Sequence, residues 1–243
     1  MRSKRLVIGA ALAAGLAGCG GGSDGNGSSD ATLYGFATPV LNSVRAYSET
    51  IVDDQNNGID LSFTETVTAV NPDGSYTIAQ VDPNNQSVVV DGTTYAIQTE
   101  TINLNNNGQD ISYNYDDAGA ISVICVYTPN GPGPDFPVTV GMPWTLDYSI
   151  GCGTQAPLAY MQTGTVVDVE SVTVPAGTFN ALKLQSTISW TDPQGTTRTQ
   201  TITNWRDVLT SVSVKQSISI AYAGTLPTAG YPVSREIVLQ SLS

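Results

Sequence analysis

Histidine is absent from this 243-residue chain, and its absence removes several chemistries at once. Histidine is the usual general base near neutral pH, the middle member of the Ser-His-Asp triad and the commonest zinc ligand. No phosphate-binding loop and no dinucleotide-binding fingerprint is present. Carboxylate pairs remain as an alternative, but Asp53-Asp54 and Asp116-Asp117 both fall in predicted turns. We therefore predict that the protein is not an enzyme and that it uses no cofactor and no metal.

Basic residues are scarce as well. The chain has 9 lysines and arginines against 21 acidic residues, and three of the basic residues lie within the first five positions. Between Arg45 and Lys183 there is no basic residue, although this stretch carries 16 acidic ones. Such a chain lacks the basic surface that nucleic acid requires, so nucleic acid is excluded as a partner. Acidic groups in the first half can pair only with cations near the carboxy terminus, or they stay in solvent.

Long apolar runs are also missing, and the longest one has the form of an export signal. Arg2, Lys4 and Arg5 precede the eleven apolar or small residues Leu6–Leu16. This stretch is too short for a membrane-spanning helix, which needs about 20 residues. A basic start followed by a short apolar core is typical of a secretory signal.

The signal ends in Leu16-Ala17-Gly18-Cys19, which resembles the lipobox of bacterial lipoproteins. The resemblance implies cleavage before Cys19 and lipidation of its thiol, so residues 1–18 are the signal peptide. Gly20 at the next position implies export to the outer membrane rather than retention in the inner membrane. Residues 19–30 are rich in Gly and Ser and predict a flexible tether, followed by a β domain over residues 31–243.

Two cysteines remain after Cys19, namely Cys125 and Cys152. In the oxidising compartment that an exported protein enters, two such thiols are expected to pair. Two free buried thiols or a redox pair are the alternatives, and the absence of a Cys-x-x-Cys motif disfavours the redox pair.

Alternating apolar and polar residues predict strands throughout the domain. In ALKLQSTISW, Leu182, Leu184 and Ile188 share one face while Lys183 lies on the other, and SVSVKQSISIAY places Lys215 outward in the same manner. This period of two is typical of half-buried antiparallel strands. Turn signals such as Asn71-Pro72-Asp73-Gly74 and Asp91-Gly92 separate the strands.

We therefore predict an all-β fold in which an antiparallel meander of ten to twelve strands curls into a half-barrel, a barrel or a sandwich. A proline-rich interruption near residues 128–143 is expected to cross between layers and marks a possible sub-boundary. The one predicted helix covers Pro39 to Tyr47.

A short internal similarity also occurs, because NNGIDLSF at Asn56–Phe63 recurs as NNGQDISY at Asn106–Tyr113. One interpretation is a pair of calcium loops, although the acidic closing ligand is missing in both copies. The other interpretation, which we favour, is a pair of Asn-Gly turns that lead into similar strands.

The last hundred residues carry a second resemblance. VGMPWTLDYS, followed by VTVPAGTFNALKL, is similar to uncharacterised bacterial envelope β domains. That family is thought to be related to the open half-barrels of the LolA/LolB type, which cradle lipid acyl chains. The resemblance implies packing roles for Trp144, Phe179 and Leu182 and no catalytic residue.

Together these features predict a non-enzymatic lipoprotein of the cell envelope, attached to the outer membrane through acyl chains on Cys19 and facing the periplasm or the surface. A structural or interaction role, with another envelope protein or a polysaccharide as the partner, is one hypothesis. A carrier that holds an apolar ligand or lipid in a curved β-sheet is the other.

Overall fold

Strands make up the regular structure of the described chain. The computed structural model describes residues 32–84, 86–90, 93–97, 99–117, 121–224, 226 and 230–243. The strands are β1 Val44–Asp53, β2 Gly58–Val70, β3 Tyr76–Val81, β4 Ser87–Val90, β5 Thr93–Ala96, β6 Glu100–Leu104, β7 Asp110–Asp117, β8 Ile121–Thr128, β9 Pro143–Cys152, β10 Leu158–Val174, β11 Gly177–Thr191, β12 Thr196–Asp207, β13 Ser213–Gly224 and β14 Pro232–Leu242.

Twelve of these strands form one closed antiparallel barrel. Neighbours in sequence are neighbours in the sheet, except that β3 pairs with β6 and that β14 closes the barrel on β1. The intervening β4 and β5 form a separate hairpin. The all-β prediction is confirmed, and of the three predicted shapes the chain adopts the barrel. Among the described residues, no helical segment has the length and hydrophobicity needed to cross a bilayer.

The barrel has two different ends. We call the end with the β1–β2 turn (residues 54–57) the upper end and the end with the β2–β3 turn (residues 71–75) the lower end. The segment before β1 and the loop between β8 and β9 meet at the lower end, where Tyr34 and Val138 exchange backbone hydrogen bonds of 2.8 and 2.9 Å. Phe36 packs on Phe136 with ring centroids 5.3 Å apart.

The tip of the β10–β11 hairpin also closes the lower end. The N–H of Ala176 donates to the carbonyl of Leu239 on β14, 3.4 Å away. Val174 and Phe179 pack in the cluster that contains Tyr47 of β1. Gly177 has φ +139°, a conformation that glycine adopts readily and other residues rarely do. The Val-Pro-Ala-Gly-Thr-Phe segment therefore folds as a structural cap.

The β4–β5 hairpin covers part of the upper end. Tyr95 lies in a buried cluster with Ile51, Ile59 and Leu61 of β1 and β2. Its hydroxyl donates to the carbonyl of Gly230 in the connection before β14. This hairpin seals the barrel over β1 and β2.

The predicted strand faces are confirmed, and so is the packing role of the motif tryptophan. Leu182, Leu184 and Ile188 are buried, whereas Lys183 is half-buried and pairs with Glu170 on β10. Trp144 packs in a cluster with buried Leu182 and Leu184. Its ring lies directly over Gly164, its partner on β10, where a β-carbon would collide with it.

Two expectations are wrong. The segment Pro39 to Tyr47 is not a helix, because it contains a turn at residues 41–42 and continues as β1 from Val44. β1 is paired on both sides, with β2 and β14, and this pairing outweighs local helix preference. The loop at residues 128–143 does not cross between layers, since β8 and β9 pair directly. It folds inward instead, where the N–H of Gly133 donates to Oε1 of the buried Gln162 at 2.9 Å.

Several predicted features lie outside the described residues. These are the signal peptide, Cys19, the tether and the Asp91-Gly92 turn. The strands on either side of that turn do pair as a hairpin, with Val90 opposite Thr93.

Candidate functional site

A row of aromatic rings crosses the inner wall of the barrel near its upper end. Successive cross-strand partners on β9 to β13 form this row, and directly opposite residues in an antiparallel pair share a face. We call it the aromatic row, and its members are Tyr148, Tyr160, Trp190, Arg198 and Tyr222.

The rings of the aromatic row stack on one another. The centroids of Tyr148 and Tyr160 are 5.1 Å apart with planes only 7° from parallel, and Tyr160 lies 5.2 Å from Trp190. The Arg198 guanidinium is 6.0 Å from the centroid of Trp190 and 5.8 Å from that of Tyr222. Such ring pairs contribute about 0.5–1.5 kcal/mol beyond their burial, so the row stiffens five strands.

Solvent reaches part of this row. Tyr148 is buried, but Tyr160, Trp190, Arg198 and Tyr222 are half-buried although they point into the barrel. Burial raises the pKa of Tyr160, and it raises that of Tyr222 to about 12. The aromatic row is therefore a partly open wall of ring faces with neutral hydroxyls.

Arg198 brings the one cation of this wall, and that cation is already paired. Its Nη2 lies 3.2 Å from Oδ2 of Asp192, which begins the β11–β12 turn. Asp192 also accepts the N–H groups of Gln194 and Thr196, each at 3.0 Å. The guanidinium is thus fixed between two rings by a carboxylate that the turn itself orients.

The interior of the barrel contains a buried network of charges, which we call the interior ion network. It comprises two ion pairs, Arg45–Glu65 and Arg235–Glu49, together with three further groups. All seven side chains are buried, and Arg45, Glu49, Glu65 and Glu100 are each 1% exposed. Its members are Arg45, Glu49, Glu65, Glu100, Asp110, Arg206 and Arg235.

Both ion pairs join neighbouring strands. Arg45 and Glu65 are direct cross-strand partners on β1 and β2, and Nη1 of Arg45 lies 3.5 Å from Oε2 of Glu65. The expectation that acidic groups of the first half pair only with cations near the carboxy terminus is therefore wrong for Glu65. Arg235 of β14 donates through Nε to Oε1 of Glu49 on β1. This second pair spans the seam where the last strand closes on the first.

Three carboxyl groups in the network have strongly raised pKa values. Burial raises the pKa of Glu65 to about 7, against the attraction of Arg45. Burial likewise raises that of Asp110 to about 7, although the Tyr127 hydroxyl and Arg206 favour its charged form. Glu100 reaches about 8, because burial is reinforced by the negative charges of Asp110 and Glu65 and only weakly opposed by Arg235.

Charge counting agrees with these shifts. The seven members of the network are four carboxyl groups and three guanidinium groups, so one bound proton makes the network neutral. Glu100 is the natural site for that proton, since Glu49 and Glu65 each pair with an arginine, whereas neither carboxylate oxygen of Glu100 has a hydrogen-bond partner among the described residues. An ionised carboxylate in that setting is very costly, and the neutral acid is much less so.

The carboxylates of Asp53 and Asp54, which the sequence singled out, accept hydrogen bonds from backbone N–H groups. Asp53 accepts the backbone N–H groups of Gln55 and Asn57 at 3.0 and 2.7 Å, as a turn carboxylate does. These bonds hold the pKa of Asp53 below its usual value, although its burial acts in the opposite direction. Asp54 accepts the N–H of Gly230 at 2.8 Å. The side chains of Asp116 and Asp117 lie outside the described set.

Asp53 also bears on the interpretation of the two similar segments as calcium loops. The two similar segments precede β2 and β7 as turns, and the Asp53 carboxylate is already bound to Asn57 through its side chain at 2.8 Å. In the described chain, no three His, Cys, Asp or Glu side chains converge in a way that could hold a metal ion.

Cys125 and Cys152 are joined by a disulfide in the structure. They are direct partners of β8 and β9, and Cys125 is fully buried in the cluster that contains Tyr113 and Tyr127. The bond ties β8 to β9, the strand that carries Tyr148 of the aromatic row.

Sequence reasoning missed both the interior ion network and the aromatic row. A signal for the first was present, because Tyr47, Glu49 and Ile51 alternate in phase and place Glu49 on the apolar face. The predicted helix over Pro39 to Tyr47 hid that phase. The second depends on the register of five strands, which no single segment encodes.

Comparison with known proteins gives similarity to solved structures only. No protein-family model and no curated protein matches the chain. A Bacteroides fragilis exported protein with a YmcC-like fold is similar over 86% of this chain and 99% of its own, at 12% identity and a TM-score of 0.48. A lipoprotein of Parabacteroides distasonis gives 13% identity, 84% and 97% coverage and a TM-score of 0.41. The lipoprotein YmcC of Escherichia coli is similar over 83% of this chain and 89% of its own, at 13% identity and a TM-score of 0.42.

These three proteins are exported proteins or lipoproteins by name. At such identities and scores the likeness assigns no function to the present chain. The site must therefore be interpreted from its own residues.

The interior ion network predicts that stability falls as pH rises. A carboxyl group with a folded pKa near 8 keeps a proton that the unfolded chain releases above about pH 4.5, so the folded state loses stability throughout that interval. Replacing Glu100 by Gln should lower the slope of unfolding free energy against pH by up to one proton, about 1.4 kcal/mol per pH unit. Urea unfolding at pH 5, 6, 7 and 8 measures this slope.

Glu236→Gln is the matched control, because Glu236 is half exposed and pairs with Lys215 on the surface at 3.2 Å. It should leave the slope unchanged. An identical slope for wild type and Glu100→Gln would show that Glu100 is ionised in the folded barrel.

Proposed function

We propose that this protein is a non-enzymatic lipoprotein, anchored in the outer membrane through acyl chains on Cys19, with a structural or interaction role in the envelope. The observation that carries the anchor is the quartet Leu16-Ala17-Gly18-Cys19 after a basic start and a short apolar core. Acyl chains contribute about 0.8 kcal/mol per buried methylene, so two or three of them hold a protein on a bilayer almost irreversibly. The β domain then faces the periplasm or the surface.

The barrel supports a binding role rather than catalysis. The carboxyl groups with pKa values near neutrality, Glu65, Glu100 and Asp110, are buried inside the barrel. A general acid or base must come within hydrogen-bond reach of its substrate, and these groups are covered by protein on every side. The accessible chemistry of the described chain is instead aromatic and acidic surface, which suits recognition.

The anchor is tested in a Gram-negative host with an alkyne-bearing fatty acid. Wild-type protein should take up the label and fractionate with the outer membrane. Cys19→Ser should lose the label, since the thiol is the acceptor, and Gly20→Asp should keep it but shift to the inner membrane.

Ser23→Ala, within the same Gly/Ser segment, is the control and should behave as wild type. If Cys19→Ser retained the label, the anchor would be refuted. If Gly20→Asp kept the label and still fractionated with the outer membrane, the sorting role of Gly20 would be refuted.

A second function, carriage of an apolar ligand, is favoured by one observation. The aromatic row presents half-buried ring faces inside the barrel at the end that the lower caps leave uncovered. Ring faces of Tyr and Trp supply large contact area for apolar molecules, and ligand sites are mostly apolar with few polar groups. The ion network fills part of the interior, so the ligand would lie against the aromatic row.

Native mass spectrometry of the mature protein, gently purified from the envelope, tests carriage. A bound mass that is released on denaturation is the expected result. Trp190→Ala should lose that mass, whereas Trp205→Ala should keep it, since Trp205 lies outside between Lys183 and Lys215. A wild-type mass accounted for by the chain, its acyl groups and the disulfide would refute carriage.

A further inference from the structure

Exposed aliphatic side chains gather at the lower end of the barrel, and we propose that this end rests on the bilayer that anchors the chain. The inference deepens the proposed function and depends on the anchor at Cys19. It adds an orientation, in which the lower end faces lipid and the upper end, with the aromatic row, points away from the membrane.

The exposed side chains come from separate segments that meet only in the fold. They lie before β1, in the β8–β9 loop, in the β12–β13 turn and at the end of β14. We call this set the apolar rim. Its members are Leu33, Val40, Leu41, Val140, Leu209 and Leu242.

Hydrogen bonds place these segments side by side. The N–H of Asn42, next to Leu41, donates to the carbonyl of Val67 at 2.8 Å, and Val44 and Ser243 exchange backbone bonds of 2.8 and 3.0 Å. The N–H of Ala37 donates to the hydroxyl of Ser211 in the β12–β13 turn at 3.3 Å. Val208 and Val138, neighbours of rim residues, pack in one cluster.

The most exposed members have no structural reason to be aliphatic. Val40 and Leu209 are 70% and 69% exposed, so neither contributes to the core. Apolar side chains clustered at one end of a soluble domain indicate a contact with lipid or protein.

Chain connectivity selects the bilayer as the occupant. The described chain begins at Thr32, beside Leu33 and therefore at the lower end. Cys19 precedes Thr32 by thirteen residues, which span at most about 45 Å when fully extended. A lipid on Cys19 thus keeps this end of the barrel near the membrane surface.

Charge explains why the contact needs the covalent anchor. No lysine or arginine lies in the lower-end turns of the described chain, while Asp73 and Asp135 are exposed there. Anionic headgroups therefore do not attract this end. The apolar rim adds hydrophobic contact and orientation to a protein that its acyl chains already hold.

Depth-dependent quenching tests the orientation. The full mature lipoprotein is reconstituted in phosphatidylcholine vesicles, with an environment-sensitive fluorophore on Leu209→Cys or on Leu41→Cys. Phosphatidylcholine brominated on its acyl chains should quench both labels and leave their emission blue-shifted. Leu226→Cys is the matched control, because Leu226 is also a leucine, is 56% exposed and lies in the β13–β14 connection at the upper end. Its label should stay unquenched.

Flotation of the vesicles separates the two ways in which the proposal can fail. Protein that does not float with the vesicles overturns the anchor and this inference together. Protein that floats with no quenching at residues 41 and 209 overturns the orientation alone, as does quenching at residue 226 only.

Discussion

The closure of β14 on β1 is the constraint on which the rest of the structure depends, and Arg235 and Glu49 pair across this seam inside the barrel. It joins the last strand to the first, and without that closure the sheet would have two open edges. A twelve-stranded barrel is also wider than aliphatic side chains alone can fill, whereas an eight-stranded one is just filled. Long arginine and glutamate side chains span this width, and their charges must then be paired.

The interior ion network explains why the surface of the protein is acidic. The arginines Arg45, Arg206 and Arg235 lie inside, so few cations are left to offset the acidic residues on the surface. The network also fills part of the interior that the aromatic row does not line. Recognition in the upper half and membrane contact at the lower end are consistent with one orientation of the domain.

Much of the fold was predictable, because alternation within β11 and β13 and the turn signals between strands are local properties of the sequence. The barrel alternative, the inward face of Leu182 and Leu184 and the outward position of Lys183 follow from them. The interior charges were not predictable in the same way. The phase of β1 places Glu49 on the apolar face, but its partner Arg235 lies 186 residues away, and the sequence pattern alone carries no sign of that partner. The aromatic row has the same origin, since its members meet only through strand register.

A double-mutant cycle on Glu49 and Arg235 tests the central claim most directly. Because removal of one partner leaves the other charge buried and unpaired, Arg235→Met and Glu49→Leu should each cost about 3–5 kcal/mol of unfolding free energy. The double variant should be much more stable than the sum of the single changes predicts, and an apolar pair of that size can match the wild type. Small and additive losses would contradict the account, because they would mean that these two charges are not paired in a dry interior.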